Sequence, residues 1–277
     1  LTKKRREAAE EGRSCGPVLF WIGPSDRLEE AAEGLLLHPG GDLSLHLFRS
    51  LRAREGDRFV FVDPDASGER FSGRVERLSP PLLSLVRLPS ELPVREPAFD
   101  LAVALLKGEG WEDLIEPLAI LGARRLVPLL AERSQLRWSS EVFARKRERF
   151  TSKVREASQL AGRADRMEIA SPVGLHGFLS DLGPSDRILF YDPDPLSRTT
   201  AEILPLAGEG PLVATIGPEG GWSERERALF LEIEKEGRGF RASLGPRILP
   251  GRLAPLVVAS LLSQAVGSTH SYGETKQ

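Results

Sequence analysis

The stretch PLVATIGPEGGWSERERALF constrains the fold of this chain more than any other. A run of apolar residues leads straight into Gly217, Pro218, Glu219, Gly220 and Gly221, and a helix follows. Ser223 as N-cap with Glu226 three residues later forms a capping box, so the helix start is well specified. Strand, glycine loop and helix N-terminus together are the unit of an α/β layer, and glycines there let backbone approach a ligand closely. No Lys-Ser/Thr pair follows the glycines and the GxGxxG spacing is missing, which excludes a nucleotide phosphate loop. Glu219 would also repel a phosphate. A ligand that is neutral or positive at its reacting atom fits better, and a sulfonium such as S-adenosylmethionine qualifies. An ordinary strand-to-helix turn has the same local pattern.

The rest of the chain divides near its prolines. Residues 1–16 read as a frayed or helical tail, VLFWI after Pro17 as a strand, and the polar residues up to Gly40 as helical. Leu47, Phe48 and Leu51 repeat at helical spacing, a Glu-Gly-Asp turn follows, and Phe59 to Val62 and Phe71 to Leu78 read as strands. Pro80, Pro81, Pro89, Pro93 and Pro97 then predict edge strands and a linker. From Leu101 the pattern alternates: LAVALL a strand, Trp111 to Leu121 a helix kinked at Pro117, RRLVPLL a strand, and Ser140 to Ala161 a long helix. That helix would bury Phe143, Phe150, Val154, Ala157 and Ala161 and leave Arg145, Lys146, Arg149 and Lys153 mainly outside. Ile188 to Tyr191 and Leu212 to Ile216 complete the strands.

With 40% hydrophobic residues in 277, the chain can bury a substantial core. No apolar run reaches the roughly 18 residues of a bilayer span. The charged N-terminus lacks the apolar core of a secretory signal, so a cytoplasmic protein is expected. The single cysteine, Cys15, and the scattered His38, His46, His176 and His270 show no metal-ligand spacing, so no metal is expected. Between Arg124 and Arg166 stand 12 Lys or Arg against 5 Asp or Glu, a basic face for phosphates or simply a solvated helix surface.

A second constellation, SLGPRILPGRLAPLVVAS, places a Gly245-Pro246 turn after a strand and Pro255 in the first turn of the last helix. The two loops could face each other across a pocket at the strand C-terminal ends, or serve as two ordinary connections.

Several segments, in the same order, resemble the 16S ribosomal RNA uridine-N3 methyltransferases of the trefoil-knotted SPOUT class, and the resemblance covers nearly the whole chain after Pro17. HLFRSLRAREGD looks like the family's N-terminal PUA-like RNA-binding domain. LLKGEGWEDLIEPLAILGARRLVPLLAERS looks like its first knot-domain segment, and EASQLAGR, IGPEGGWSERE and LGPRIL follow in the family's order. The resemblance implies an α/β protein with a tail at 1–16, a small β-barrel PUA-like domain at 17–92 and a SPOUT α/β-knot methyltransferase domain at 93–270. It implies a homodimer that acts on small-subunit ribosomal RNA, outside any membrane. S-adenosylmethionine would lie between Ile216, Gly217, Pro218, Glu219, Gly220 and Gly221 on one wall and Leu244, Gly245, Ile248 and Leu249 on the other. RNA would meet Arg49, Arg52, Lys107, Arg133 and Arg163.

Where the family continues Ile-Leu with Arg, Thr or Met, Glu and Thr, this chain has Pro250, Gly251, Arg252 and Leu253. Ile120, Leu160 and Met167 likewise replace family Glu, Gln and Pro. Methylating N3 requires loss of its proton and stabilisation of negative charge on the ring, so a cation is expected near the transferred methyl. Arg247 and Arg252 are the cations of this loop, with Arg252 in place of the displaced family arginine. Two other readings stand beside the enzyme: a catalytically silent RNA-binding paralogue, and a SPOUT methyltransferase with a different RNA substrate.

Overall fold

The computed structural model describes residues 14–31, 34–64, 69–88, 99–108, 110–193, 197–208 and 210–267. Residues 1–13 of the expected tail, Pro89, Pro93 and Pro97, the expected domain boundary and His270 lie outside them. The chain forms two compact units: residues up to Val94 together with Ser158–Asp165, and Arg95–Ala157 together with Arg166 onward.

In the first unit, β1 (Ser14–Trp21), β2 (Arg27–Ala31), β3 (Gly34–His38), β4 (Arg58–Asp63), β5 (Glu69–Leu78) and β6 (Pro81–Arg87) form one six-stranded sheet in the order β1-β4-β5-β6-β3-β2. β1 runs parallel to β4 and the other neighbours are antiparallel. A short helix α1 (Gly41–Ser44) continues into a π-helical turn (Leu45–Ser50). Its Leu47 packs with Leu37, Phe61 and Leu83 in a fully buried core, while Leu51, expected on the same face, is exposed.

Three expectations for this unit fail. The polar stretch before Gly40 is the hairpin β2–β3, not a helix, because β3 finds a partner in β6 that local pattern does not reveal. Strand β1 starts at Ser14, inside the expected tail. β6 lies between β5 and β3 rather than at an edge, with Pro81 as its first residue, where a missing donor is tolerated.

The second unit holds a seven-stranded sheet, all of its pairs parallel. Along the chain come β7 (Phe99–Ala104), a 3-10 turn (Glu112–Leu114), α2 (Ile115–Ile120), β8 (Ala123–Leu129), α3 (Ser140–Leu160), β9 (Glu168–Ile169) and α4 (Leu175–Ser180). Then follow β10 (Arg187–Tyr191), β11 (Arg198–Thr199), α5 (Thr200–Ala207), β12 (Leu212–Ile216), α6 (Glu224–Lys235), β13 (Gly239–Ser243) and α7 (Ala254–Gly267). The strand order is β11-β13-β10-β12-β7-β8-β9. β7 and β12 are buried along their whole length, as expected of strands covered on both faces. One core takes Leu118, Phe150, Ile203 and Leu262 from α2, α3, α5 and α7; the other takes Phe178 and Phe230 from α4 and α6. Asp100, buried within β7, is neutralised by Arg124 and Arg125.

Here the sequence expectations shift in detail. The helix expected over Trp111 to Leu121 divides into the 3-10 turn and α2, so Pro117 falls in the first turn of α2, where its missing donor costs nothing. α3 ends at Leu160 and Ala161 is exposed beyond it. Lys146 and Arg149 close on the buried Glu112, and Lys153 on Glu116, so part of the basic excess balances carboxylates from the preceding turn and helix.

Candidate functional site

β10, β12 and β13 are neighbours in the sheet, and their C-terminal ends open on one cavity of about 390 Å³. Parallel sheets bind ligands at this end, where helix N-termini and loops converge. All ten residues expected to hold the cofactor line it: Ile216 to Gly221 after β12, and Leu244, Gly245, Ile248 and Leu249 after β13.

The first wall is tightly held. Gly221 N donates to Pro218 O at 2.9 Å, closing the turn. The indole of Trp222, 1% exposed, donates from Nε1 to Tyr191 O at 2.9 Å. A Cβ on Gly217 would stand 3.0 Å from that indole, so a side chain there would press on the buried ring. Ser223 and Glu226 form the expected capping box, and the Glu226 carboxylate also accepts from Glu132 N at 2.9 Å. One buried carboxylate thus ties the start of α6 to the segment after β8. Arg133 donates to Gly220 O at 3.1 Å, and Glu219 accepts from Lys107 N at 3.3 Å.

The second wall is looser. Gly245 takes a φ of +98°, with open space where a side chain would begin. Ser243 Oγ accepts from Gly245 N at 3.1 Å. Pro250 O accepts from Leu253 N at 2.8 Å and from Ala254 N at 3.1 Å, so the Pro-Gly-Arg-Leu segment is a turn that leads into α7. A Cβ on Gly251 would meet Leu106 Cδ2 at 2.8 Å and Glu219 at 3.6 Å, which brings this turn against the first wall.

Of the two expected catalytic cations, Arg247 lines the cavity and Arg252 does not; both are exposed. Lys107 and Arg133 are exposed beside the glycine loop. Arg49 and Arg52 are exposed in the first unit. Arg163 corrects the expectation: it is 3% exposed and its guanidinium grips Asp165 through two bonds of 2.9 Å, while its carbonyl accepts from Trp21 Nε1. A buried, paired guanidinium cannot serve as an RNA-facing one.

Sequence reasoning missed Tyr191, Asp192, Trp222 and Arg227, which also line the cavity. Asp192 directly follows the apolar strand RILFY, and Trp222 is an aromatic between a glycine pair and an N-cap; both were available signals. Arg227 binds Asp192 in a two-point ion pair at 2.8 and 3.2 Å, and the carboxylate holds the guanidinium's proton more firmly than usual. Burial pushes the Tyr191 hydroxyl up to about 12, against a smaller opposing effect of its 2.9 Å bond to Thr200.

Fully parallel sheet, terminal cavity and glycine cradle define an α/β ligand-binding domain, and comparison with known proteins gives its family. The RNA methyltransferase domain family matches residues 94–263, and the chain belongs to that family. It is similar to the ribosomal RNA small subunit methyltransferase E of Synechocystis sp., 31% identical over 229 residues that cover 80% of this chain and 71% of the relative. The Bacillus subtilis protein of the same name is 28% identical, over 79% of this chain and 86% of its own. Among solved structures, Lpg2936 from Legionella pneumophila, with the cofactor SAM bound, has a TM-score of 0.67 and 25% identity, covering 90% of this chain and 97% of that one. The Neisseria gonorrhoeae ribosomal RNA small subunit methyltransferase E shares the fold at a TM-score of 0.69 and 20% identity, over 89% and 96% of the two chains.

Proposed function

We propose that this protein is a cytoplasmic enzyme that transfers a methyl group from S-adenosylmethionine to N3 of a uridine in 16S ribosomal RNA. The observation that carries the reading is the convergence of all ten expected cofactor residues on one cavity at the strand ends. Its volume of about 390 Å³ lies within the ~300–1,000 Å³ usual for small-molecule sites. The chemistry of the lining also fits: apolar walls with open space over Gly245, the carboxylate of Glu219, and no phosphate-binding Lys-Ser/Thr. Gly217 to Gly221 and Leu244 to Leu249 would hold the cofactor, which when bound supplies an electrophilic methyl on sulfur. Arg247 would offset negative charge on the uracil ring as N3 loses its proton, with Arg252 reaching in from the turn. Lys107 and Arg133 beside the cavity, and Arg49 and Arg52 on a PUA-like first unit, would hold phosphates. We assign the first unit to that domain and the second unit to a trefoil-knotted domain that dimerises.

Transfer of labelled methyl to small subunits from a strain lacking the modification, followed by nucleoside analysis, tests the reading. N3-methyluridine is expected, and methyl-labelled RNA with any other nucleoside would overturn the assignment of N3. A second reading, an RNA-binding paralogue without catalysis, is favoured by the exposure of Arg252 outside the cavity lining. Binding of small-subunit RNA without methyl transfer to it or to any other RNA would select it.

A further inference from the structure

One charged pair in the cavity has no role in the reading above. Asp192 is the first residue after β10, between β12 and β13, and its backbone N still donates to Ala242 O at 3.3 Å. The carboxylate is therefore placed by the centre of the sheet rather than by a loop. Its side chain is 7% exposed and the partner guanidinium 35%, and both residues line the cavity. Arg227 Nε and Nη2 each engage one carboxylate oxygen, and Nη1 reaches Glu224 at 3.3 Å. Each oxygen of an ionised carboxylate accepts about two hydrogen bonds. Arg227 satisfies one on each, which leaves acceptor capacity on a carboxylate that lines the cavity.

The chemistry of that point is selective. Paired with Arg227, Asp192 carries little net field, so it neither draws a cation strongly nor tolerates a second acceptor. A neutral ligand group with two adjacent donors suits it best, and a vicinal diol is that group. We propose that Asp192, held in orientation by Arg227, accepts the ribose hydroxyls of the adenosyl cofactor. Asp192 is then a binding residue and Arg227 its positioning residue. The inference rests on the proposed cofactor.

Calorimetric titration with S-adenosylhomocysteine and with its 2′-deoxy and 3′-deoxy analogues tests it. Hydrogen bonds to a charged group imply that deleting at least one hydroxyl weakens wild-type binding by roughly ten- to hundred-fold. In Asp192→Asn that penalty should shrink several-fold, and in Asp192→Leu/Arg227→Met, which removes both charges together, it should vanish. Arg227→Met alone should reduce it while leaving Asp192 in place. A pair that merely braces the fold would lower affinity for all three ligands equally, and an unchanged hydroxyl penalty in the variants overturns the inference. Should the double variant fail to fold by circular dichroism, Asp192→Asn carries the comparison. Absence of wild-type binding to the parent ligand would instead overturn the proposed cofactor itself, and the inference with it.

Discussion

The two walls of the cavity are built on opposite principles. The Gly217–Gly221 wall is fixed by its own turn, by the Trp222 indole, by the capped start of α6 and by Glu226 reaching Glu132. The segment from Leu244 to Leu253 carries exposed Pro246, Arg247, Pro250 and Arg252, and its Ile248 is 89% exposed. Preorganisation resides in the first wall and adaptability in the second. A residue changed in the first disturbs folding and binding together, whereas an exposed side chain such as Arg247 or Arg252 changed in the second alters chemistry at little cost in stability.

Substitutions that should separate the walls follow in order of effect on stability. Trp222→Ala would empty a buried site between Gly217 and Phe230 and cost about 3–5 kcal/mol by denaturant melting. A loss below about 1 kcal/mol would break the claim of a rigid first wall. Gly217→Val would press on the same indole, costing about 1–3 kcal/mol and eliminating ligand binding in calorimetry. Ser223→Ala removes the cap and should cost about 1 kcal/mol. In the second wall, Arg252→Ala should stay within about 0.5 kcal/mol of wild type. On the proposed function it should nonetheless lower methyl transfer at least tenfold with cofactor affinity retained. Equal destabilisation by Arg252→Ala and Ser223→Ala would erase the contrast.

Tyr191 sharpens it from another side. Its hydroxyl, raised by burial to about 12, keeps its proton in the folded state where an unfolded tyrosine ionises near ~10. The stability this contributes is fully present below pH ~10 and is lost as pH rises from there to about 12. Absorbance titration of wild type and Tyr191→Phe should assign the late-ionising phenol, and ionisation of Tyr191 near 10 would mean that the floor beneath the first wall is open to water.

Much of this was legible in the chain itself. Apolar runs such as LVATI must be buried strands, Ser223 with Glu226 must start a helix, and the glycines between them must form a close-approach loop, because each follows from local sterics and hydrogen bonding. The resemblance then named both walls. Local pattern misread the β2–β3 hairpin and the place of β6, because those depend on partners distant in sequence, Leu83 to Leu85 for β3, and it misread Arg163 because the burial of its side chain is set by tertiary packing. The Asp192–Arg227 pair likewise joins residues from a strand end and a helix, and no spacing rule links them. The sequence by itself determined the α/β class, the glycine cradle and the family, since these rest on neighbours along the chain. Only the tertiary structure decided which charges face the cavity and which are spent in pairs, because a side chain's charge acts through distance and burial, and both are set by the packing of the whole sheet.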